Sequence, residues 1–464
     1  MTHRYDIPRV RFRRPGVAAW LVLVIGTAIG VWRRADLYLA YERAHLLMGT
    51  LAALLALTLI QLAIAMLERS CTLTPAQQAR VDRLKVAVNI PVYNEDPLVL
   101  DRALYALFTQ TRLPHRVEVV DDGSTRDYSE IRAYWQLHHP SAIQFSWTRQ
   151  PNLGKKRAQA RTFATADADI FVTLDSDTAL ERTALGEGLK PFADRRVQSV
   201  AGVELAWNYR ANWLTRLNST RSLIWQTLSC SAQSVFGDIL VNRGTFALYR
   251  APVIRDSLRA YVDETFFGRP VDLGDDAALT LFARARGRAV QQPSAIQFAM
   301  YPDTLSHHCR QWTRWMRGST IRTFWRIRYL RILSYSWWFT VINLWTYAAA
   351  TATVVVCVAQ WPQSRFFAAT TAAASIAWSY IMAVRMFAIV RSDERWTARL
   401  VSFAIAPAVA AWSALVLRPL RIYGIATCLH QKWVTRHFVE VGPDADKRRM
   451  AARLEEMERE ASWA

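Results

Sequence analysis

Hydrophobic and polar positions follow two regimes along this chain. Long uncharged apolar runs occupy 16–32 ("GVAAWLVLVIGTAIGVW"), 44–67, 337–361 and 366–384. Roughly 20 apolar residues cross a bilayer core, so each run predicts a membrane helix. The first could pass for a secretory leader, but a second span follows closely and predicts a retained hairpin instead. The stretch 398–430 is apolar too, yet Pro407, Pro419 and several arginines interrupt it, which predicts a bent or re-entrant hairpin. From 85 to 330 no comparable run exists, so about 245 residues form a soluble insert between membrane hairpins.

Inside the insert the apolar spacing switches between strand and helix periods. "LKVAVNIPVYN" (84–94) is a β-branched run ending in turn residues, and 96–111 has helical spacing. The strand "RVEVVDDGS", a helix near 127–139, the strand "IQFSWTRQ", the helix "KKRAQARTFATA" and the strand "DIFVTLDSD" follow. This βαβαβαβ order predicts a parallel sheet with helices on both faces. Ligands of such sheets bind beyond the carboxyl ends of the strands. Asn94, Glu95, Asp121, Asp122, Asp175 and Asp177 all fall there.

Charge fixes the orientation. The leader "MTHRYDIPRVRFRRPG" carries five arginines, which by the positive-inside rule keeps it cytoplasmic and returns the insert to the cytoplasm. Arg33, Arg34 and Arg43 in the short outer loop weaken that asymmetry. The net charge of +20 suits anionic lipid and phosphate-bearing substrates, although arginines flanking membrane spans supply much of it. Five scattered cysteines form no CxxC pair, which argues against a disulfide framework or a zinc site and fits a reducing cytosol. The tail after 445 has the pattern of a solvated, mixed-charge helix.

Three DxD triplets occur, at 167–169, 175–177 and 444–446, but only "LDSD" ends a hydrophobic strand. Two carboxylates there are costly without a partner. A divalent cation bridging them to a diphosphate removes the cost, since oxygen ligands suit Mg²⁺ or Mn²⁺. In "VDLGDDAALTLFARARG", Asp275 and Asp276 open a helical pattern, where carboxylates either cap the helix or act as a general base toward a hydroxyl. In "RQWTRWMRGS" (310–319) a helix would put Arg310, Arg314 and Arg317 on one face, with Gln311 and Trp315 one turn apart. Arginine forks suit phosphate oxygens and a flat indole suits a pyranose face. Nucleic acid is disfavoured, because the segment runs directly into a membrane span. Residues 321–338 read as an interfacial helix with snorkelling arginines and belt tryptophans.

Taken in order, "IPVYNED", "VVDDGS", "NLGKKRAQA", "LDSDT", "YVDETFFGRPVDLGDDAALT" and "QWTRW" resemble the processive family 2 glycosyltransferases, nearest to the bacterial hyaluronan synthases. The resemblance covers nearly the whole chain. It implies a GT-A, Rossmann-like nucleotide-binding domain, cytoplasmic, inserted between transmembrane helices. Carried over by motif, Tyr93, Glu95, Asp122, Lys155 and Asp175 would bind the nucleotide, and Asp175 and Asp177 would contact Mg²⁺ or Mn²⁺. Asp276 would be the general base. Gln311, Arg314 and Trp315 would face acceptor and diphosphate, and Trp433, Thr435 and Arg436 would gate.

The implied domains are a transmembrane hairpin (1–70), the glycosyltransferase domain (84–305), an interfacial region with QxxRW (306–336), a C-terminal transmembrane or re-entrant bundle (337–430) and a cytoplasmic tail (431–464). The implied activity is inverting, processive polymerisation of UDP-sugars with export of a β-linked chain, from UDP-N-acetylglucosamine and UDP-glucuronate by the nearest likeness. Its partners are those donors, the growing polysaccharide and membrane lipids, not nucleic acid, and its place is the inner membrane. Chitin-like or β-glucan synthesis and a non-processive lipid-linked sugar transferase are the alternatives. Four sites depart from the family pattern: Trp312 stands for the second glutamine of QQxRW, Ala277 for the arginine after "GDD", Asn242 to Thr245 for "CSGP", and Trp433 to Arg436 for "WGTR".

Overall fold

A computed structural model describes residues 5–13, 45–360 and 365–431. The predicted span 16–32, the gating residues Trp433, Thr435 and Arg436, and the tail helix lie outside the described residues. The strands in chain order are β1 (Val10–Phe12), β2 (Val86–Val92), β3 (Arg116–Asp121), β4 (Gln144–Arg149), β5 (Ile170–Leu174), β6 (Ala179–Leu180), β7 (Val197–Ala206), β8 (Phe246–Arg250), β9 (Thr265–Phe266), β10 (Arg269–Pro270), β11 (Arg288–Ala299) and β12 (Ile389–Arg391).

Eight of these strands form one sheet in the order β4-β3-β2-β5-β8-β7-β11-β6. Every residue of β2 and of β5 is buried, as expected of strands covered on both faces. The polar Asn89 within β2 is tolerated because its Nδ2 donates to Thr162 Oγ1 at 2.5 Å. The helices Pro97–Phe108 and Ser129–His138 supply crossovers between the parallel neighbours β2, β3 and β4, and Lys155–Thr165 carries the chain back from β4 to β5 on the other side of β2.

The expectation of a parallel sheet holds for β4, β3, β2 and β5 and then fails: the sheet is mixed. β8 runs antiparallel to both β5 and β7, and β6 antiparallel to β11. The physical reason is connectivity. The chain leaves β7, passes through the helical segment Trp213–Phe236 and returns as β8 in the opposite direction, so no single-helix crossover sets its polarity.

The predicted apolar segments are helical where described. They form His45–Met66, Tyr335–Ala359 and Arg365–Ala383. Among the described residues, by length and composition, Tyr335–Val356 and Ala406–Ala426 are the two helices long and apolar enough to cross a membrane. The stretch 398–430 does bend: Trp396–Ala404 ends at Ile405, Pro407 sits in the first turn of the next helix, and a π-turn at Ser413–Leu417 precedes Pro419.

Two ties bind these helices to the sheet domain. β1 pairs antiparallel with β12, so part of the arginine-rich leader is a strand. Glu68 and Arg385, both buried, pair at 2.6 Å, and the Glu68 carboxylate also accepts from Ser231 Oγ and Gln291 Nε2.

Candidate active site

The strand ends form a linked frame. Asn94, at φ 47°, takes hydrogen bonds from Thr125 N and Oγ1 on its Oδ1, and Asp121 accepts from Ser124 N. This ties the end of β2 to the end of β3. Glu95 accepts from Ser176 Oγ at 3.0 Å, which fixes the Asp175-Ser176-Asp177 turn beyond β5. Asp122 accepts from Leu153 N, Gly154 N and Gln150 Nε2, so its carboxylate organises the loop that leads into Lys155. Tyr93, Glu95 and Asp122 all line one cavity with Asp175 and Asp177.

Lys155 is the hub. Its Nζ lies 2.8 Å from Asp175 and 3.1 Å from Asp275. Burial alone would lower the ammonium's pKa, but Asp175, Asp275 and Asp276 outweigh it and hold the group above the ordinary lysine range. One ammonium thus faces three carboxylates, and the excess negative charge fits a further cation. Among the described residues, no group of three or more His, Cys, Asp or Glu could hold a metal ion by itself. Asp175 and Asp177 therefore fit a divalent ion only if substrate oxygens complete its shell.

Asp275 and Asp276 open the helix Asp275–Arg286, whose N-cap is Gly274 rather than either carboxylate. Burial would raise the Asp275 pKa, but Lys155 holds it below the usual range. Asp276 goes the other way: burial and the neighbouring Asp275 push its pKa up to about 6. The two adjacent carboxylates thus shift in opposite directions, Asp275 paired with the lysine and Asp276 with its pKa raised toward neutrality. Gly244 closes the cluster; a Cβ there would stand 3.3 Å from Lys155 Nζ and 3.6 Å from Asp276 Cβ.

The helix Leu305–Tyr329 forms the facing wall. Gln311, Arg314 and Trp315 all line the cavity, and Trp315 is 46% exposed into it. Of the other arginines on that face, Arg317 donates to Thr427 Oγ1 and Arg310 to Ser306 Oγ. The expectation of a snorkelling helix over 321–338 needs correction. The helix ends at Tyr329, and Arg322 and Arg326 are buried. Arg322 pairs with Glu264 and donates to Gly274 O at 3.1 Å, while Lys156 pairs with the same Glu264 at 2.9 Å. Gly318 permits this docking, since a Cβ there would meet Gly274 N at 3.2 Å. Arg322, Glu264 and Lys156 were invisible as site residues in the sequence; their only signal was proximity to "GDD" and QxxRW.

The cavity holds about 2260 Å³ and runs without interruption from Tyr93 and Asp175, past Trp315, to Val358 and Ile376 among the apolar helices. A mixed sheet with a strand-end DxD facing a carboxylate-led helix is the architecture of a GT-A glycosyltransferase. The model of glycosyl transferase family 2 matches residues 87–258. Hyaluronan synthase of Streptococcus pyogenes is 32% identical over 368 residues, covering 77% of this chain and 84% of that protein. An N-acetylglucosaminyltransferase of Rhizobium sp. (strain N33) is 29% identical over 374 residues, covering 79% and 80%. The chain belongs to glycosyl transferase family 2 and is a homologue of the hyaluronan synthases. A mannosyltransferase from Pyrobaculum calidifontis, solved in complex with GDP-Man and Mn²⁺, shares the fold with a TM-score of 0.53 at 20% identity, covering 80% of this chain and 98% of that one.

Proposed function

We propose that this glycosyltransferase is a membrane-embedded, processive, inverting polymerase of UDP-sugars that passes its β-linked product between its own helices. The observation that carries the reading is the single cavity joining the Lys155 and Asp276 cluster to the apolar helices through Trp315. A soluble transferase of single sugars has no use for such an extension. The proposed parts are the glycosyltransferase domain (84–305), the QxxRW helix region (306–336) and the helical bundle (337–430), with the domain in the cytoplasm and the helices in the inner membrane. The homologues support hyaluronan as the product, with UDP-N-acetylglucosamine and UDP-glucuronate as donors.

In this reading Tyr93, Glu95 and Asp122 shape the nucleotide pocket. Asp175 and Asp177 would hold Mg²⁺ or Mn²⁺ together with the donor's diphosphate, and the ion would supply charge stabilisation for the departing UDP. Lys155 adds a fixed positive charge on the same side. Asp276 accepts the proton of the acceptor hydroxyl as that oxygen attacks the anomeric carbon and the bond to UDP breaks, with inversion. Trp315 offers its face to the acceptor sugar, and Arg314 and Gln311 flank it.

The test is incubation of purified full-length protein with single and paired UDP-sugars and Mn²⁺ or Mg²⁺, followed by sizing of the product. Long polymer only with UDP-N-acetylglucosamine and UDP-glucuronate together is the expected result. Polymer from UDP-N-acetylglucosamine alone makes the enzyme chitin-like, polymer from UDP-glucose makes it a β-glucan synthase, and single-sugar products overturn processivity.

A further inference from the structure

Beside the Lys155 cluster, across Gly244, the cavity has a second polar wall whose charge is not balanced. It is built from Glu204 in β7, the helix Trp213–Trp225, Arg243, Tyr301 and the start of the helix Leu305–Tyr329. Glu204 is fully engaged: Oε1 accepts from Arg243 at 2.5 Å and from Tyr301 Oη at 2.6 Å, and Oε2 from Thr245 Oγ1 at 2.9 Å. Arg221 stands in the same wall, its guanidinium 4.5 Å from the centre of the Trp312 ring. Among the described residues it forms no ion pair and no hydrogen bond, and its Nε is buried without a partner. His308, hydrogen-bonded to Asn218, offers no counter-charge, because burial and Arg221 hold its pKa down at about 4.

An unpaired guanidinium in a closed wall is costly unless an anion arrives to meet it. We propose that Arg221, stacked on Trp312, is a subsite for the carboxylate of an acidic sugar unit in the growing chain. The inference rests on the polymerase reading and adds the chemistry of the chain that the cavity accepts. Three features support it. The wall carries Arg221 and Arg243 against Glu204 alone, an excess of one positive charge for a group that brings one negative charge. A guanidinium placed over an indole, here 4.5 Å from its centre, keeps N–H groups free to pair with a carboxylate through two parallel hydrogen bonds. The Trp312 ring also meets the Trp315 ring edge-on, with centroids 6.0 Å apart, so a sugar placed against Trp315 has its neighbour within reach of Arg221.

The donor diphosphate is a poorer occupant. Lys155 serves that end, whereas Trp312 donates its Nε1 hydrogen to Leu417 O in the helical bundle, on the side where the product would leave. A neutral chain would leave Arg221 unpaired, and a site with an unanswered buried polar group discriminates strongly against such a ligand.

The experiment uses full-length protein in lipid nanodiscs, with Arg221→Gln and Arg221→Lys beside the parent. The probes are a β-linked tetrasaccharide of alternating N-acetylglucosamine and glucuronate, its carboxyl-reduced neutral counterpart, and UDP, each titrated by tryptophan fluorescence and calorimetry. The parent should bind the acidic tetrasaccharide roughly tenfold or more tightly than the neutral one, as a charge-assisted hydrogen bond predicts. Arg221→Gln should abolish that preference, Arg221→Lys should keep part of it, and UDP affinity should stay unchanged in both. Equal binding of the two tetrasaccharides by the parent, or no binding of either, overturns the proposal. So does loss of UDP affinity in Arg221→Gln, which would assign the arginine to the diphosphate. These binding readouts need no turnover: an acid preference in a protein that makes no polymer keeps the subsite and sinks the polymerase reading, and polymer made without any preference does the reverse.

Discussion

Asp276 should set the acid limb of the pH–rate profile, at a position the structure specifies. A carboxylate in water has a pKa of about 4 and would be almost fully ionised at pH 5. Burial and the adjacent Asp275 raise Asp276 to about 6. The ionised form is the base, so activity should be present above that pKa and lost as pH falls through it. With a pKa of about 6, roughly 90% of the enzyme is competent at pH 7 and roughly 9% at pH 5, a tenfold fall that an unshifted aspartate would not produce. The assay is initial-rate kcat/KM from UDP release at saturating Mn²⁺, because that ratio reports the free enzyme. Asp275→Asn supplies the control. It removes the neighbouring negative charge but leaves the burial, so the limb should move to lower pH even though the lost contact to Lys155 lowers the plateau. Asp276→Asn should cost about 10²- to 10⁴-fold in turnover at every pH while UDP still binds. A parent limb near pH 4, an unmoved limb in Asp275→Asn, or near-normal turnover of Asp276→Asn would each refute the assignment.

Asp177→Asn should weaken UDP binding in the presence of Mn²⁺ by roughly tenfold while leaving metal-free binding alone, and calorimetry with equal affinities for parent and variant would remove Asp177 from the metal site. Trp315→Ala should spare UDP binding yet shorten or abolish the polymer on a sizing column; a parental product would reduce that indole to packing. Glu68→Gln breaks a buried pair and strands Arg385, which should lower stability by about 3 kcal/mol. Thermal unfolding in detergent checks this, and an unchanged midpoint would show that the junction between helices and sheet domain does not depend on the charge.

What the sequence made legible, and what it hid, divides along physical lines. The strand-end carboxylates were readable because a β-branched run ending in Asp or Asn carries its own local signal. β2, β3 and β5 begin and end within a few residues of where the apolar runs do. The mixed half of the sheet was not readable, since β7, β8 and β11 are joined by long helical excursions and their polarity is decided by tertiary packing. Arg322 and Arg326 were misread for a related reason. Arginines spaced four apart beside aromatic residues look alike whether they reach for lipid headgroups or for Glu264 and the carbonyl of Leu240, and only the docked helix distinguishes the two. Lys155 was expected near the diphosphate from its motif, but its bridge between Asp175 and Asp275 joins residues 100 positions apart on different elements, which no local pattern encodes.

The departures from the family motifs also change meaning once they are seen in space. In the sequence, Trp312 and Arg243 are separate anomalies, one in QxxRW and one in the segment before β8. In the fold both belong to the wall that holds Arg221: Trp312 lies under its guanidinium, and Arg243 takes up the carboxylate of Glu204 that would otherwise be available to neutralise it. Trp312 thus meets the Arg221 guanidinium while Arg243 engages Glu204. The charged cluster of Asp175, Lys155, Asp275 and Asp276 lies next to this wall, with Gly244 between them. In the proposed reading, donor chemistry and acceptor recognition fall to neighbouring groups of one cavity, so Trp312 and Arg221 can change, and with them the chain accepted, while the carboxylates assigned to the transfer stay in place.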